Sequence, residues 1–342
     1  MAGGSGREAR DRGEVANRYL VRMAALAPSV HNTQPWYFTA SQGTLCLYAD
    51  QERGLPAEDP AGRELVISCG AALANLTLSM RHLGFAADVS LLPDVSRSGL
   101  LARVRWGRHV TATPHEDLLY RSITRRHTRR GPFTGDVPPL VIDELMRVAR
   151  QERADLYVVY GESRRQHLAD LVRDAELAHR GSPVVAAERA RWARLAEDGR
   201  PDGVAPVPGT ATRWNGPEFL DRDFSRDGGQ DAWEVWRPDE ASVPGLVALV
   251  TTRDDRRPGW LAAGQALQRV LLHATGRGVG VAFHTQPLEV PALRERIRAE
   301  FTGRDYPQVL LRIGCGGTFA ATPRRLVRDV LRAQAADGTQ AA

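Results

Sequence analysis

Lysine is absent from this chain of 342 residues, so all 46 basic positions are arginine. The 41 acidic residues are interleaved with them and leave a formal charge of only +5. A surface built for nucleic acid would segregate its charge into a stripe, so nucleic acid is not an expected partner. Cysteine is scarce. Cys46, Cys69 and Cys315 are far apart and odd in number, which excludes a disulfide framework and a zinc spacing and points to a reducing cytoplasm. No apolar run is long enough to span a bilayer, and no membrane partner is expected. The opening MAGGSGREARDRGE has no apolar stretch of the kind a signal peptide needs, and is expected to fray. Missing too are the G-x-S-x-G elbow, the H-E-x-x-H helix and the G-x-x-x-x-G-K-[ST] loop. No metal site is expected. The nine histidines are scattered, and His273 is expected to face solvent or pack on its own helix.

What remains is the profile of a globular protein, 42% apolar and 25% charged. The length exceeds one minimal core, which suggests two domains or two similar halves. Hydrophobic periodicity predicts helices over 15–27, 63–83, 115–125, 140–150, 163–179, 259–275 and 290–301. It predicts strands over 36–39, 45–49, 85–91, 101–106, 156–160, 246–250, 279–284 and 308–313. Residues 181–237 are rich in Pro, Gly, Arg and Asp, yet carry Trp192, Trp214, Trp233 and Trp236. Disordered linkers hold few aromatics, so an ordered excursion is expected, with a lid as one option.

Two helices repeat one another. CGAALANLTLSMRHLGF, from Cys69, aligns without a gap on AGQALQRVLLHATGRGV, from Ala263. Gly70 falls on Gly264, Ala72 on Ala266, Leu73 on Leu267 and Gly84 on Gly278. Each helix precedes an apolar strand, and each half ends on a similar strand, VRWG and LRIG. The same order in both halves predicts an internal duplication over 14–110 and 115–335, with 181–237 inserted in the second. Strands mixed with long helices give an α+β or α/β layered fold.

Four stretches carry candidate chemistry. LAPSVHNTQPWYF (26–38) gathers many hydrogen-bonding side chains in one turn. RSITRRHTRRGPF (121–133) crowds Arg125, Arg126, Arg129 and Arg130 beside His127 and Thr128. Four arginines in six residues are either a solvated basic turn or an anion cradle, since the guanidinium fork matches phosphate. ATPRRLVRDVL (321–331) places Arg324 and Arg325 just after a chain break. FHTQPLEVPAL (283–293) sets Thr285 and Gln286 at a strand-to-helix junction, where ligands often meet a sheet. GRGVGV (276–281) closes a helix and opens a strand, the reverse of a dinucleotide fingerprint, so no Rossmann site is expected.

These residues resemble the nitroreductase superfamily of flavin mononucleotide (FMN) enzymes over nearly the whole chain. They look most like its Acg-type members, in which one chain mimics a nitroreductase dimer. PSVHNTQPW is similar to the family's PSxxNxQPW turn, RRHT to its phosphate-binding R-[RH]-S motif, and PRR to its second basic pair. The resemblance implies an α+β nitroreductase-like fold, with two halves around a single FMN site. It implies that Pro28, Ser29, His31 and Asn32 line the isoalloxazine ring, and that Arg126, His127 and Thr128, with Arg125, hold the phosphate and ribityl chain. Arg324 and Arg325 would close on the phosphate, and Gln286 or Thr285 would approach the ring's N5 edge. The family's commoner Glu-Gly pair is missing there. Implied too is ping-pong transfer of hydride from NAD(P)H to a small electron-poor nitroaromatic or quinone, in a monomeric pseudo-dimer or a homodimer. Two alternatives stand beside it: an FMN-storage protein whose lid, through Trp214 or Trp236, blocks the site, and a tailoring flavin dehydrogenase or dehalogenase.

Overall fold

The computed structural model describes residues 3–94, 96, 99–129, 133–194, 198–204, 219, 222, 243–316 and 322–333, with 3–12 described by backbone alone. Its helices are α1 (Gly3–Ala24), α2 (Arg63–His82), α3 (Pro114–Ser122), α4 (Pro139–Arg150), α5 (Glu162–Arg180), α6 (Pro183–Trp192) and α7 (Arg257–Gly276). The short α8 (Gln286–Glu289), α9 (Pro291–Ile297) and α10 (Val327–Val330) complete the set. One sheet contains β1 (Trp36–Ser41), β2 (Thr44–Ala49), β3 (Phe85–Leu91), β4 (Leu100–His109) and β9 (Leu331–Arg332), in the order β3-β4-β2-β1-β9. The other contains β5 (Asp155–Val159), β6 (Leu246–Thr252), β7 (Val279–Phe283) and β8 (Tyr306–Cys315), in the order β5-β6-β8-β7. Read from the opposite edge, the second order is β7-β8-β6-β5. It matches β3-β4-β2-β1 strand for strand, and every one of these pairings is antiparallel. The two sheets thus share one strand order, and the chain is an α+β protein.

The two repeated helices, α2 and α7, meet at the centre. Most of α2 is buried along its whole length, as a helix apolar on every side must be. A Cβ added at Gly70 would lie 2.5 Å from the Leu261 carbonyl oxygen, and one at Gly264 would lie 2.0 Å from that of Ile67. The two glycines aligned by the repeat therefore allow two backbones to touch, which any side chain would prevent. Nearby, Gln268 Nε2 donates to Asn75 Oδ1 at 2.7 Å and sets the register of the crossing. α3 starts with a reciprocal capping box between Thr113 and Glu116, followed by Pro114 in the first turn.

Several expectations need correction. α1 begins at Gly3, not near residue 15; Arg7, Glu8 and Ala9 are good helix formers, and propagation from a formed helix is easy. α6 was not foreseen; Ser182 caps it and Pro183 opens it. The helix over 290–301 stops at Ile297 and continues as a π-type turn over Arg298–Thr302. β9 pairs in parallel with β1, so the end of the chain joins the first sheet. His273 neither faces solvent nor packs on its own helix alone: it is buried, with Glu144 Oε2 at 2.9 Å from its Nε2 and His115 Nε2 at 3.1 Å from its Nδ1. Trp214 and Trp236 lie outside the described residues. Among the described residues no helix is long and apolar enough to cross a membrane.

Candidate functional site

The PSVHNTQ turn lies between α1 and β1. Its backbone is strained: His31, Asn32 and Gln34 have φ of 48°, 53° and 50°, in the left-handed region that side chains disfavour. The surroundings enforce this shape. Ser29 Oγ accepts from Gln34 N–H at 2.8 Å, and His31 Nε2 bonds Glu58. Asn32 Nδ2 donates to the carbonyls of Gly203 and Pro323, both at 3.2 Å, while its Oδ1 accepts from Arg324 Nη1 at 3.0 Å. Gln34 Nε2 donates to the Pro201 carbonyl at 2.8 Å. Trp36 behind the turn is fully buried.

A cavity of about 140 Å³ opens against this turn. Pro28, Ser29, His31 and Asn32 line it from the first half, and Thr128, Arg129, Thr285 and Arg324 from elsewhere in the chain. Residues 126–129 run from the end of α3 to the second sheet, where Arg129 N–H donates to the Val281 carbonyl at 2.8 Å. Arg126 is only 5% exposed, and its Nε and Nη1 have no hydrogen-bond partner. Burial, and then the nearby charge of Arg324, push its guanidinium down to about 9. Burial likewise pushes Arg324 down to about 10. His127 is also held below its ordinary value, by burial and then by Arg126 and Arg324. Arg126 is a buried cation beside the half-buried Arg324, and among the described residues no carboxylate pairs with either, an arrangement that an anion would relieve.

A second charged group at the cavity is saturated. Arg222 and Val204, from the 181–237 segment, line the cavity. Arg222 bonds both Glu289 oxygens and reaches Glu58 at 3.1 Å. Arg189 of α6 bonds Glu58, Glu176 at 2.8 Å and His179 at 2.6 Å. Burial would raise Glu58, but His31, Arg222 and Arg189 outweigh it and hold the carboxyl well below its ordinary range. Ligand atoms of Glu58, His179 and Glu289 lie within 4.8 Å of one another. Arg189 and Arg222 already bind this group, which makes it an ion-pair network rather than a metal centre.

Not every expected residue reaches the cavity wall. Arg125 is exposed and lies off it. Arg126, His127 and Gln286 lie outside the lining set; Gln286 is fully buried, and Thr285 beside it lines the wall. Arg325 does not line the cavity either. Its Nη1 donates to the carbonyls of Gln34 (3.3 Å) and Trp36 (3.4 Å), with Asp50 at 4.0 Å. Glu58, Glu64 and Arg222 were not foreseen, and Arg129 was expected only as one arginine of the 125–130 cluster. The one available signal was Arg63-Glu64, a charged pair opening an otherwise apolar helix; Arg222 comes into reach only through tertiary folding.

Fold and cavity together define an α+β protein with a basic group and an ion-paired group at its ligand cavity. The chain belongs to the nitroreductase family of oxidoreductases. It is 31% identical over 328 residues to the Mycobacterium tuberculosis protein named "Putative NAD(P)H nitroreductase Rv3131", covering 92% of this chain and 90% of that one. It is 28% identical over 324 residues to "Putative NAD(P)H nitroreductase acg" of the same organism, covering 93% and 95%. A solved structure of the FMN-dependent nitroreductase NfnB from Mycobacterium smegmatis in complex with NADPH aligns at 16% identity with a TM-score of 0.39, over 63% of this chain and 97% of that one. No family model matches the chain.

Proposed function

We propose that the protein is an FMN-dependent oxidoreductase that takes hydride from NAD(P)H and passes it to a small electron-poor acceptor, a nitroaromatic or a quinone, by ping-pong exchange. The observation that carries this reading is Arg126, buried with two unpartnered N–H groups beside Arg324. A phosphate monoester supplies the missing acceptors and the missing charge. Arg126 and Arg324 would hold the phosphate, with His127 and Thr128 beside it. The strained turn from Pro28 to Asn32 would support the ring from one side and Thr285 from the other. FMN, when bound, supplies reversible hydride chemistry. The chain's own work is to bind and orient: Asn32 ties Arg324, the 181–237 segment and the turn into one rigid wall. Donor and acceptor would use the same cavity in turn, which needs no Rossmann loop.

A second reading is favoured by one observation. Arg189 and Arg222, two described residues of the 181–237 stretch, meet Glu58 and Glu289 in ion pairs. Such ion pairs beside the cavity suit an FMN holder with little turnover. One preparation decides between the readings. The purified protein is expected to be yellow, with about one FMN per chain, and a colourless protein that takes up no flavin on reconstitution removes both. Prompt anaerobic bleaching by NADPH supports the reductase. Bleaching seen only after deletion of residues 198–231 supports the holder.

A further inference from the structure

Glu64, the second residue of α2, is a cavity-lining carboxyl that the cofactor reading leaves without a role. It is 3% exposed. Its Oε1 accepts from Arg63 Nη2 at 2.6 Å, and its Oε2 has no hydrogen-bond partner. Arg63 is a divided partner: its Nη1 also donates to the Gln308 carbonyl at 2.6 Å, and its Nη2 to the Leu288 carbonyl at 3.3 Å. A buried carboxylate with one bare oxygen is costly, whereas a carboxylic acid in the same place lacks only an acceptor for its O–H.

The charges facing Glu64 come from four elements. Asp59 precedes α2 and Glu289 ends α8; both repel a carboxylate. Arg63, on its own helix, and Arg222, from the 181–237 segment, attract one. Arg222 already serves Glu58 and Glu289, so little of its charge is left for Glu64. The N-terminal turn of α2 also favours a carboxylate, but by less than full burial opposes it. Burial first, and then Glu289, hold the carboxyl well above its ordinary value.

We propose that Glu64 is an un-ionised carboxylic acid in the cavity wall and donates a hydrogen bond to an oxygen of the acceptor, selecting molecules that present a nitro or quinone oxygen there. The acceptor class rests on the function proposed above; the protonation state does not. Glu64, Thr285 and Gln308 line the same cavity, and an un-ionised carboxyl there can donate to an oxygen of a ligand. A neutral acid serves an uncharged oxygen well, because it brings no repelling charge to it.

The experiment compares wild type, Glu64→Gln and Glu64→Ala at neutral pH, without NAD(P)H, using nitrobenzene as an unreduced probe. Infrared difference spectra are expected to show an un-ionised carboxyl band that Glu64→Gln removes and that nitrobenzene shifts in wild type. Binding is expected to weaken about tenfold in Glu64→Ala, and by the same factor in wild type once alkali ionises the acid. Glu64→Gln, which keeps a donor in place, is expected to bind within about threefold of wild type with no such pH dependence. A carboxylate band at neutral pH in place of the un-ionised one overturns the proposal. So does a band that nitrobenzene leaves unmoved, with equal affinity in all three proteins. Flavin content is measured on the same samples: a flavin-free wild type removes the proposed function, while the infrared band still decides the state of Glu64.

Discussion

Arg126 is buried near the half-buried Arg324, and Arg189 is buried near the half-buried Arg222, in opposite company. The first two face each other, and Arg126 keeps two bare N–H groups. The second two meet Glu58, Glu176 and Glu289. Equal burial thus has two meanings. A buried cation saturated by carboxylates belongs to the chain's own architecture. A buried cation left without an anion marks a place that a ligand completes, because an uncompensated charge in a low dielectric is otherwise expensive.

The largest expected effect comes from removing the pair that lacks a carboxylate. Arg126→Ala with Arg324→Ala removes charge-assisted contacts worth about 1.5–3 kcal/mol each, so FMN affinity is expected to fall roughly 10²- to 10⁴-fold. Flavin absorbance after gel filtration reads this directly, and an unchanged flavin-to-protein ratio removes the phosphate assignment. Added FMN should raise the melting temperature of wild type only.

The saturated pair should respond in the opposite way. Glu58→Gln leaves Arg189 and Arg222 short of an anion and is expected to cost about 3–5 kcal/mol of stability, read by denaturant titration with or without flavin. The same network has a pH signature. The folded-state carboxyl of Glu58 is depressed, so its contribution is complete above the unfolded carboxylate value of about 4.3 and is lost as pH falls through the lower folded value. Wild type is therefore expected to keep the network intact into acid below the usual carboxylate range, and Glu58→Gln to lack that acid step. An unaltered acid limb in the variant would assign the step to other carboxyls.

Much of this comparison was legible before folding, but unevenly. The strand positions follow from hydrophobic runs, and the repeat aligned Gly70 with Gly264, which the fold brings into contact. Long apolar helices and turns rich in Pro and Asn have local signatures. RRHT and TPRR advertise guanidinium groups, yet not which of them turns inward: Arg324 and Arg325 are adjacent, and only their hydrogen bonds tell them apart. Glu58, Arg189 and Arg222 join a site only through contacts more than 130 residues apart in sequence. Nothing local in GLPAEDPAGRE distinguishes Glu58 as the hub. β9, only two residues long, is too short for any period to show.

The smallest expected effects fall on the arginines that the motifs select but the geometry places elsewhere. Arg125 is exposed, so Arg125→Ala is expected to change stability by less than about 0.5 kcal/mol and leave flavin content unchanged. Arg325 bonds the carbonyls of Gln34, Trp36 and Asp329. Arg325→Ala is thus expected to lower stability by about 1–2 kcal/mol while flavin content stays within about twofold. Arg324→Ala is the matched control, differing by one position in sequence and by which wall the guanidinium meets. If the two variants lose flavin equally, adjacency in the motif matters and place in the cavity wall does not. If only Arg324→Ala loses it, the cavity wall has identified the phosphate ligand at single-residue resolution, where sequence motifs alone treat the two arginines as one.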